Sequence, residues 1–208
     1  MIAAVAALTL AAGLSLNLDQ VRAADAMPAV GQTAPGFTLA SQTGAQVSLS
    51  SFAGKWVVLY FYPKDMTPGC TIEAHNFQTA QPQFTAKNAV ILGVSVDTPA
   101  SHQQFCTQEN LTFRLLADTN HTVTNAYGSL GNNGMAARNT FLINPQGNIA
   151  QVWTGVSPQT TVPIVLAAIP GAPAGAVPSQ PSAEVPEMRK PITDSVKPPP
   201  PINQAPPQ

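Results

Sequence analysis

The run Trp56-Val57-Val58-Leu59-Tyr60-Phe61 constrains the fold more than any other stretch of the chain. Consecutive β-branched and aromatic residues without a polar interruption belong to a short strand buried on both faces, with further layers above and below it. A loop rich in turn formers, Pro63 to Gly69, follows at once. Cys70 then opens a segment carrying Ile72, Ala74, Phe77 and Ala80 at helical spacing. A sulfur in the first turn of a helix meets unpaired backbone N–H groups and the positive end of the helix dipole, which favour thiolate over thiol. A lone cysteine is more often a small buried hydrophobe, so its neighbours decide between the two.

Those neighbours are Pro63 and Thr67, in the order P-x-x-x-T-x-x-C with Cys70, directly after the strand. The loop resembles the active-site loop of the peroxiredoxins. The longer run Y-P-K-D-M-T-P-G-C-T resembles the PrxQ/bacterioferritin comigratory protein branch of that family. A second stretch, R-N-T-F-L-I from Arg138, resembles the family's R-x-x-F-L-I, whose arginine reaches the nucleophile. The resemblance spans about Pro28 to Ile169.

The order of elements reads independently of that likeness. Gly36–Ala40 and Gln46–Leu49 alternate apolar and polar residues around Ser41–Gly44, an N-terminal β-hairpin pattern. The segment from Cys70 should run to about Phe84, with Pro82 ending or bending it. Ala89–Val96 reads as a second buried strand. Asp97-Thr98-Pro99 supplies a cap and a helix-opening proline for a helix to about Asn110. A short strand at Leu111–Leu116, a short helix within Asp118–Tyr127, a hairpin about Asn144–Gly147 and a last helix at Thr160–Ile169 complete the order. This predicts an α/β domain with a central mixed sheet flanked by helices, the order of the thioredoxin-like fold that the resemblance also implies.

The two ends read differently from the middle. Ile2 to Leu18 is uncharged and apolar apart from Thr9 and small residues, and Val21-Arg22-Ala23 and Ala24-Asp25-Ala26 resemble signal-peptidase sites. Residues 1–26 are therefore expected to be a signal peptide, exporting the chain to a compartment such as the bacterial periplasm. A signal peptide ordinarily carries Lys or Arg before its apolar run, and none stands between Met1 and that run, so a basic n-region is expected upstream of the given start; the alternative is an uncleaved membrane anchor. Residues 27–169 form the expected domain. From Pro170 onward, 12 of the 21 prolines fall in the last 39 residues. Such a segment buries too little apolar surface to offset its ordering entropy, so a disordered, Pro-rich tail is expected at 170–208.

Composition removes several function classes. A net charge of −1 gives no basic field for nucleic acid or an anionic membrane. His75, His102 and His121 lack metal-ligand spacing with each other or with the cysteines. The absence of a C-x-x-C argues against a thioredoxin or a disulfide isomerase. No cofactor is expected, and the chain is expected to be a monomer.

Reduction of a hydroperoxide needs a thiolate placed for attack on an O–O bond, donors that polarise the bond, and a cation. Cys70 is the candidate peroxidatic sulfur. The Thr67 hydroxyl is placed to hydrogen-bond the thiolate and position the peroxide, and the N–H groups of Gly69 and Cys70 are further donors. Pro63 and Pro68 stiffen the loop and exclude water. Arg138 is the candidate cation, ahead of Arg114, which stands in no matching context.

Attack leaves a sulfenic acid, which a second thiol converts to a disulfide. The branch resemblance implies a resolving cysteine five residues after the first, but His75 occupies that position. It also includes a subset with the resolving residue on the later helix, which implies that role for Cys106. A thioredoxin-like dithiol donor would then recycle the enzyme. The rival reading is a non-catalytic exported domain stapled by a structural Cys70–Cys106 disulfide. A disulfide needs Cα atoms about 4.4 to 6.8 Å apart, while peroxide attack needs an intact first helical turn. The reduced form is therefore expected to keep the sulfurs apart, and oxidation to unwind the helix start. Gly69 and a weakly packed flank at His75 and Asn76 would ease that unwinding.

Overall fold

A computed structural model describes residues 27–171. The expected signal at 1–26, and all but the first two residues of the expected tail, lie outside the described residues.

The strands are β1 (Thr38–Ser41), β2 (Gln46–Ser48), β3 (Trp56–Phe61), β4 (Ala89–Ser95), β5 (Arg114–Ala117), β6 (Thr140–Ile143) and β7 (Ile149–Trp153). They form one mixed sheet in the order β2-β1-β5-β4-β3-β6-β7. β3, β4 and β5 are parallel neighbours, while β6 runs antiparallel to β3 and β1 antiparallel to β5. The helices are α1 (Pro68–Ala86), α2 (Pro99–Glu109), α3 (Thr122–Ala126) and α4 (Thr161–Ala168). A 3₁₀ turn at Leu49–Phe52 precedes β3.

β3 separates two apolar cores, which explains its unbroken hydrophobicity. Val58 and Tyr60, with Tyr62 just beyond the strand, face a core built with Cys70, Phe77 and Phe84 of α1, Phe105 and Cys106 of α2, and Val165 of α4. Val57, Leu59 and Phe61 face the opposite core, with Phe37, Leu92, Tyr127 and Phe141. Each fully buried side chain of this size contributes about 1.5–3 kcal/mol, so displacing the strand would lose both cores.

Two local details differ from the sequence reading. α1 continues through Pro82 to Ala86. An interior proline costs roughly 3 kcal/mol, but Phe77 and Phe84, on either side of Pro82, are both fully buried. Their combined burial exceeds that cost, and the helix runs on. The cap of α2 is Thr98, whose hydroxyl accepts from Ser101 N at 3.2 Å. Asp97, the other capping candidate, instead accepts from the backbone N–H of Asp65 at 2.9 Å.

Candidate active site

The sheet register explains how residues distant in sequence meet at one place. β3 ends by delivering Tyr62 and Pro63 to the loop, and β6 begins beside it, with Tyr60 opposite Thr140. Phe61 N donates to Asn139 O at 2.8 Å. Arg138 therefore emerges next to the loop that leads into α1. Its neighbour Asn139 is anchored on both amide atoms, Nδ2 donating to Ser129 Oγ at 3.0 Å and Oδ1 accepting from Gly155 N at 3.1 Å.

Thr67 is the N-cap of α1, Pro68 occupies the first turn, and Cys70 follows Gly69 in that turn. The thiol is buried, 2% exposed. Arg138 Nη2 donates to Cys70 Sγ at 3.4 Å. The same guanidinium lies over Gly69, where an added Cβ would come within 3.4 Å of Nη2. Sequence proximity had linked Pro63, Thr67 and Cys70; the fold adds Arg138.

Thr67 sits differently from expectation. Its hydroxyl donates to Lys64 O at 3.0 Å, and no hydrogen bond to Cys70 is present among the described residues. Its proton is committed to the loop, which leaves its oxygen as an acceptor at the helix entrance. Half-buried Pro63 lies beside an open groove of about 480 Å³ that Asn132, Met135 and Ala137 also line. Arg114, the less favoured cation, lies over the Phe52 ring at 5.8 Å, away from Cys70.

Sequence reasoning missed Glu73. One turn after Cys70, this fully buried carboxylate pairs through Oε2 with Arg138 Nη1 and lies 3.1 Å from Thr161 Oγ1 of α4. Burial raises its pKa, only partly opposed by Arg138 and the Thr161 hydroxyl. Burial also works against the charge of Arg138, but the Glu73 carboxylate and the Cys70 sulfur outweigh it and raise the guanidinium's pKa. Glu73 thus orients one edge of the guanidinium while the other faces sulfur. The available signal was an acid among the buried residues Cys70, Ala74 and Phe77 of one helix.

Cys106 lies on α2, and both cysteines are free thiols. Burial, with a smaller contribution from Asp65, pushes the Cys106 thiol up to about 11. Tyr60 shares the core with both sulfurs, and burial, then Glu73, Cys70 and Cys106, raise its phenol well above the ordinary range. The flank expected to be loose is tied down. His75 Nε2 lies 2.7 Å from Glu109 Oε2 of α2, and Asn76 Nδ2 donates to Pro158 O at 3.0 Å.

A buried thiol in a first helical turn, faced by an oriented guanidinium on a mixed sheet, defines a thiol-dependent peroxidase of the thioredoxin-like class. The chain belongs to the AhpC/TSA family, whose model matches residues 30–152, and its relatives are Bcp/PrxQ peroxiredoxins. It is 43% identical over 134 residues to a putative peroxiredoxin bcp of Helicobacter pylori, covering 61% of this chain and 88% of that one. Peroxiredoxin Bcp of Bacillus subtilis is 42% identical over 134 residues, with 61% and 85% covered. Among solved structures, peroxiredoxin Q of Xanthomonas campestris superposes with a TM-score of 0.61 at 36% identity, covering 64% of this chain and 89% of that one. Other structures of the Xanthomonas campestris protein concern alkyl peroxide reduction. Two more carry single cysteine-to-serine changes at positions 36 residues apart, the separation of Cys70 and Cys106.

Proposed function

We propose that this peroxidase reduces hydrogen peroxide and small organic hydroperoxides at Cys70 and resolves the oxidised sulfur with Cys106. The Arg138 Nη2 to Cys70 Sγ contact of 3.4 Å carries the reading. The cation is placed to stabilise a sulfur anion and the negative charge that develops on the departing oxygen. The Cys70 thiolate attacks one oxygen of the hydroperoxide. An S–O bond forms as the O–O bond breaks, the leaving alkoxide or hydroxide takes a proton, and the sulfur is oxidised by two electrons. The Cys106 sulfur then attacks the sulfenic sulfur, forming the disulfide and releasing water.

Two observations extend this reading to substrate and partner. The alkyl peroxide reduction named for the Xanthomonas campestris relative supports an organic hydroperoxide as substrate, and the groove beside Pro63 presents Met135, Ala136 and Ala137 together with the polar Asn132 and Asn133. The 36-residue separation of the two substituted cysteines in that relative supports Cys106 as the resolving partner. A thioredoxin-type dithiol would then return both cysteines to thiols.

Cys70→Ser is expected to abolish turnover. Cys106→Ser is expected to complete one turnover and accumulate sulfenic acid. Equal loss of the first turnover in both variants would contradict these assignments. For residues 1–26 the proposal is export, which fractionation of cells expressing the full chain tests; a wholly cytosolic, full-length product would refute it.

A further inference from the structure

We propose that Asp65 and His102 are positioning residues for this reaction: their buried contact pins the loop leading to Cys70 onto the helix that carries Cys106. The inference rests on the roles of the two cysteines given above. It concerns residues to which the peroxide chemistry gives no part, Asp65 inside the quoted loop run and His102 outside it.

Asp65 lies in the loop between β3 and α1 and is 3% exposed. Its Oδ1 accepts from Tyr62 Oη at 2.7 Å. Its Oδ2 accepts from Ser101 Oγ at 2.7 Å and lies 2.8 Å from His102 Nδ1. Its backbone N–H donates to Asp97 Oδ2, which Ser95 Oγ also reaches at 2.7 Å. One loop residue is thus fixed from the end of β3, the end of β4 and the first turns of α2. Burial alone would lift its carboxyl, but His102, Ser101 and Tyr62 more than offset that and hold it below the usual range. His102 is fully buried, and its Nε2 has no partner among the described residues. The imidazole thus leaves one nitrogen unsatisfied in the core, at a cost, while the other holds Asp65.

Both sides of this clamp lead to a cysteine. Met66, the residue after Asp65, adopts a φ of 58°, a left-handed conformation that a methionine resists. Thr67 follows as the cap of α1, with Cys70 in the turn beyond. The clamp therefore holds the turn from which the first helical turn starts. On α2, His102 and Cys106 are four residues apart, neighbours on one helix face. Closed, the clamp keeps Cys70 in an intact turn for peroxide attack. Open, it lets Met66 relax and the start of α1 unwind toward α2. The His75–Glu109 contact is a second tie between the same two helices.

The two half-reactions therefore respond in opposite directions when the clamp is weakened, an outcome that a merely structural role would not give. The test is rapid-mixing kinetics on the full chain, following sulfenic acid formation and then disulfide formation after hydrogen peroxide. Asp65→Asn and His102→Leu are expected to slow the first phase and to speed the second by about tenfold, the scale of one hydrogen bond to a charged group. Less Cys70 is then over-oxidised at excess peroxide. His102→Asn, whose amide nitrogen can stand in for Nδ1, is expected to restore both phases. Ser101→Ala removes a single donor and gives the same pattern in smaller degree, should the stronger variants fold poorly. Both phases slowing together, or neither moving, would overturn the clamp. Identical second phases in the wild type and Cys106→Ser would instead overturn the resolving role of Cys106.

Discussion

Burial of Cys106 makes a quantitative prediction about its reactivity before oxidation. Its thiol is raised from an ordinary 9.0 to about 11. At pH 7 roughly one molecule in ten thousand carries the thiolate in the folded state, against roughly one in a hundred for a solvated thiol. The perturbation is Cys70→Ser, which leaves Cys106 as the sole thiol. Its rate of alkylation by iodoacetamide, followed by mass spectrometry from pH 7 to pH 10, should be about a hundredfold below that of the unfolded chain. It should still climb about tenfold per pH unit at the upper end of that range. The same linkage has a definite sign for stability. The folded acid holds its proton more tightly, so its contribution is complete below the unfolded value and disappears as pH rises from about 9 toward 11. A native alkylation rate that levels off above pH 9, at the free-thiol rate, would refute the burial argument. Cys106 would then be available to Cys70 without any opening of the fold.

Other perturbations reach the rest of the structure. Arg138→Met should slow the first oxidation of Cys70 by about 10²–10³-fold, the scale of losing one preorganised donor, measured as peroxide consumption in a single turnover. Glu73→Ala leaves the guanidinium of Arg138 without its buried partner and should cost about 3–5 kcal/mol in urea unfolding, whereas Glu73→Gln should cost less. Gly93→Ala would place a Cβ 2.7 Å from both the Tyr60 ring and Leu115 Cδ2. Overpacking there should cost about 1–3 kcal/mol, seen as a lowered Tm. Tyr60→Phe removes a buried hydroxyl with no partner among the described residues. It should be neutral or stabilising by up to about 1 kcal/mol in the same assay.

The features legible in the sequence are those carried by patterns. The unbroken run at β3, the hairpins at Ser41–Gly44 and Asn144–Gly147 and the alternation of strands and helices give the mixed sheet, because burial on one or two faces leaves a periodic trace. Cys70 and Arg138 were legible through motifs attached to strand ends. Buried polar partners leave no such trace. Glu73 carried no motif, and Asp65 stood in the quoted loop run without a role; only the three-dimensional convergence of Arg138 and Thr161, or of Tyr62, Ser101 and His102, makes their burial tolerable. Pro82 misled in the other direction, because a local rule about proline was outweighed by aromatic burial on both sides of it. The loose flank expected at His75 and Asn76 was inferred from polarity alone, and polarity does not reveal that Glu109 and Pro158 stand within reach.

One experiment joins the two sulfurs to the proposed reaction. The fully reduced chain is mixed with one equivalent of hydrogen peroxide, quenched with an alkylating agent, digested and mapped by mass spectrometry. The wild type is expected to give a single intramolecular Cys70–Cys106 disulfide and no free alkylated thiol, while Cys106→Ser gives Cys70 one oxygen heavier. Peroxide consumed with Cys70 left as an alkylatable thiol, or by Cys70→Ser at the wild-type rate, would contradict the assignment of Cys70 as the sulfur that peroxide meets.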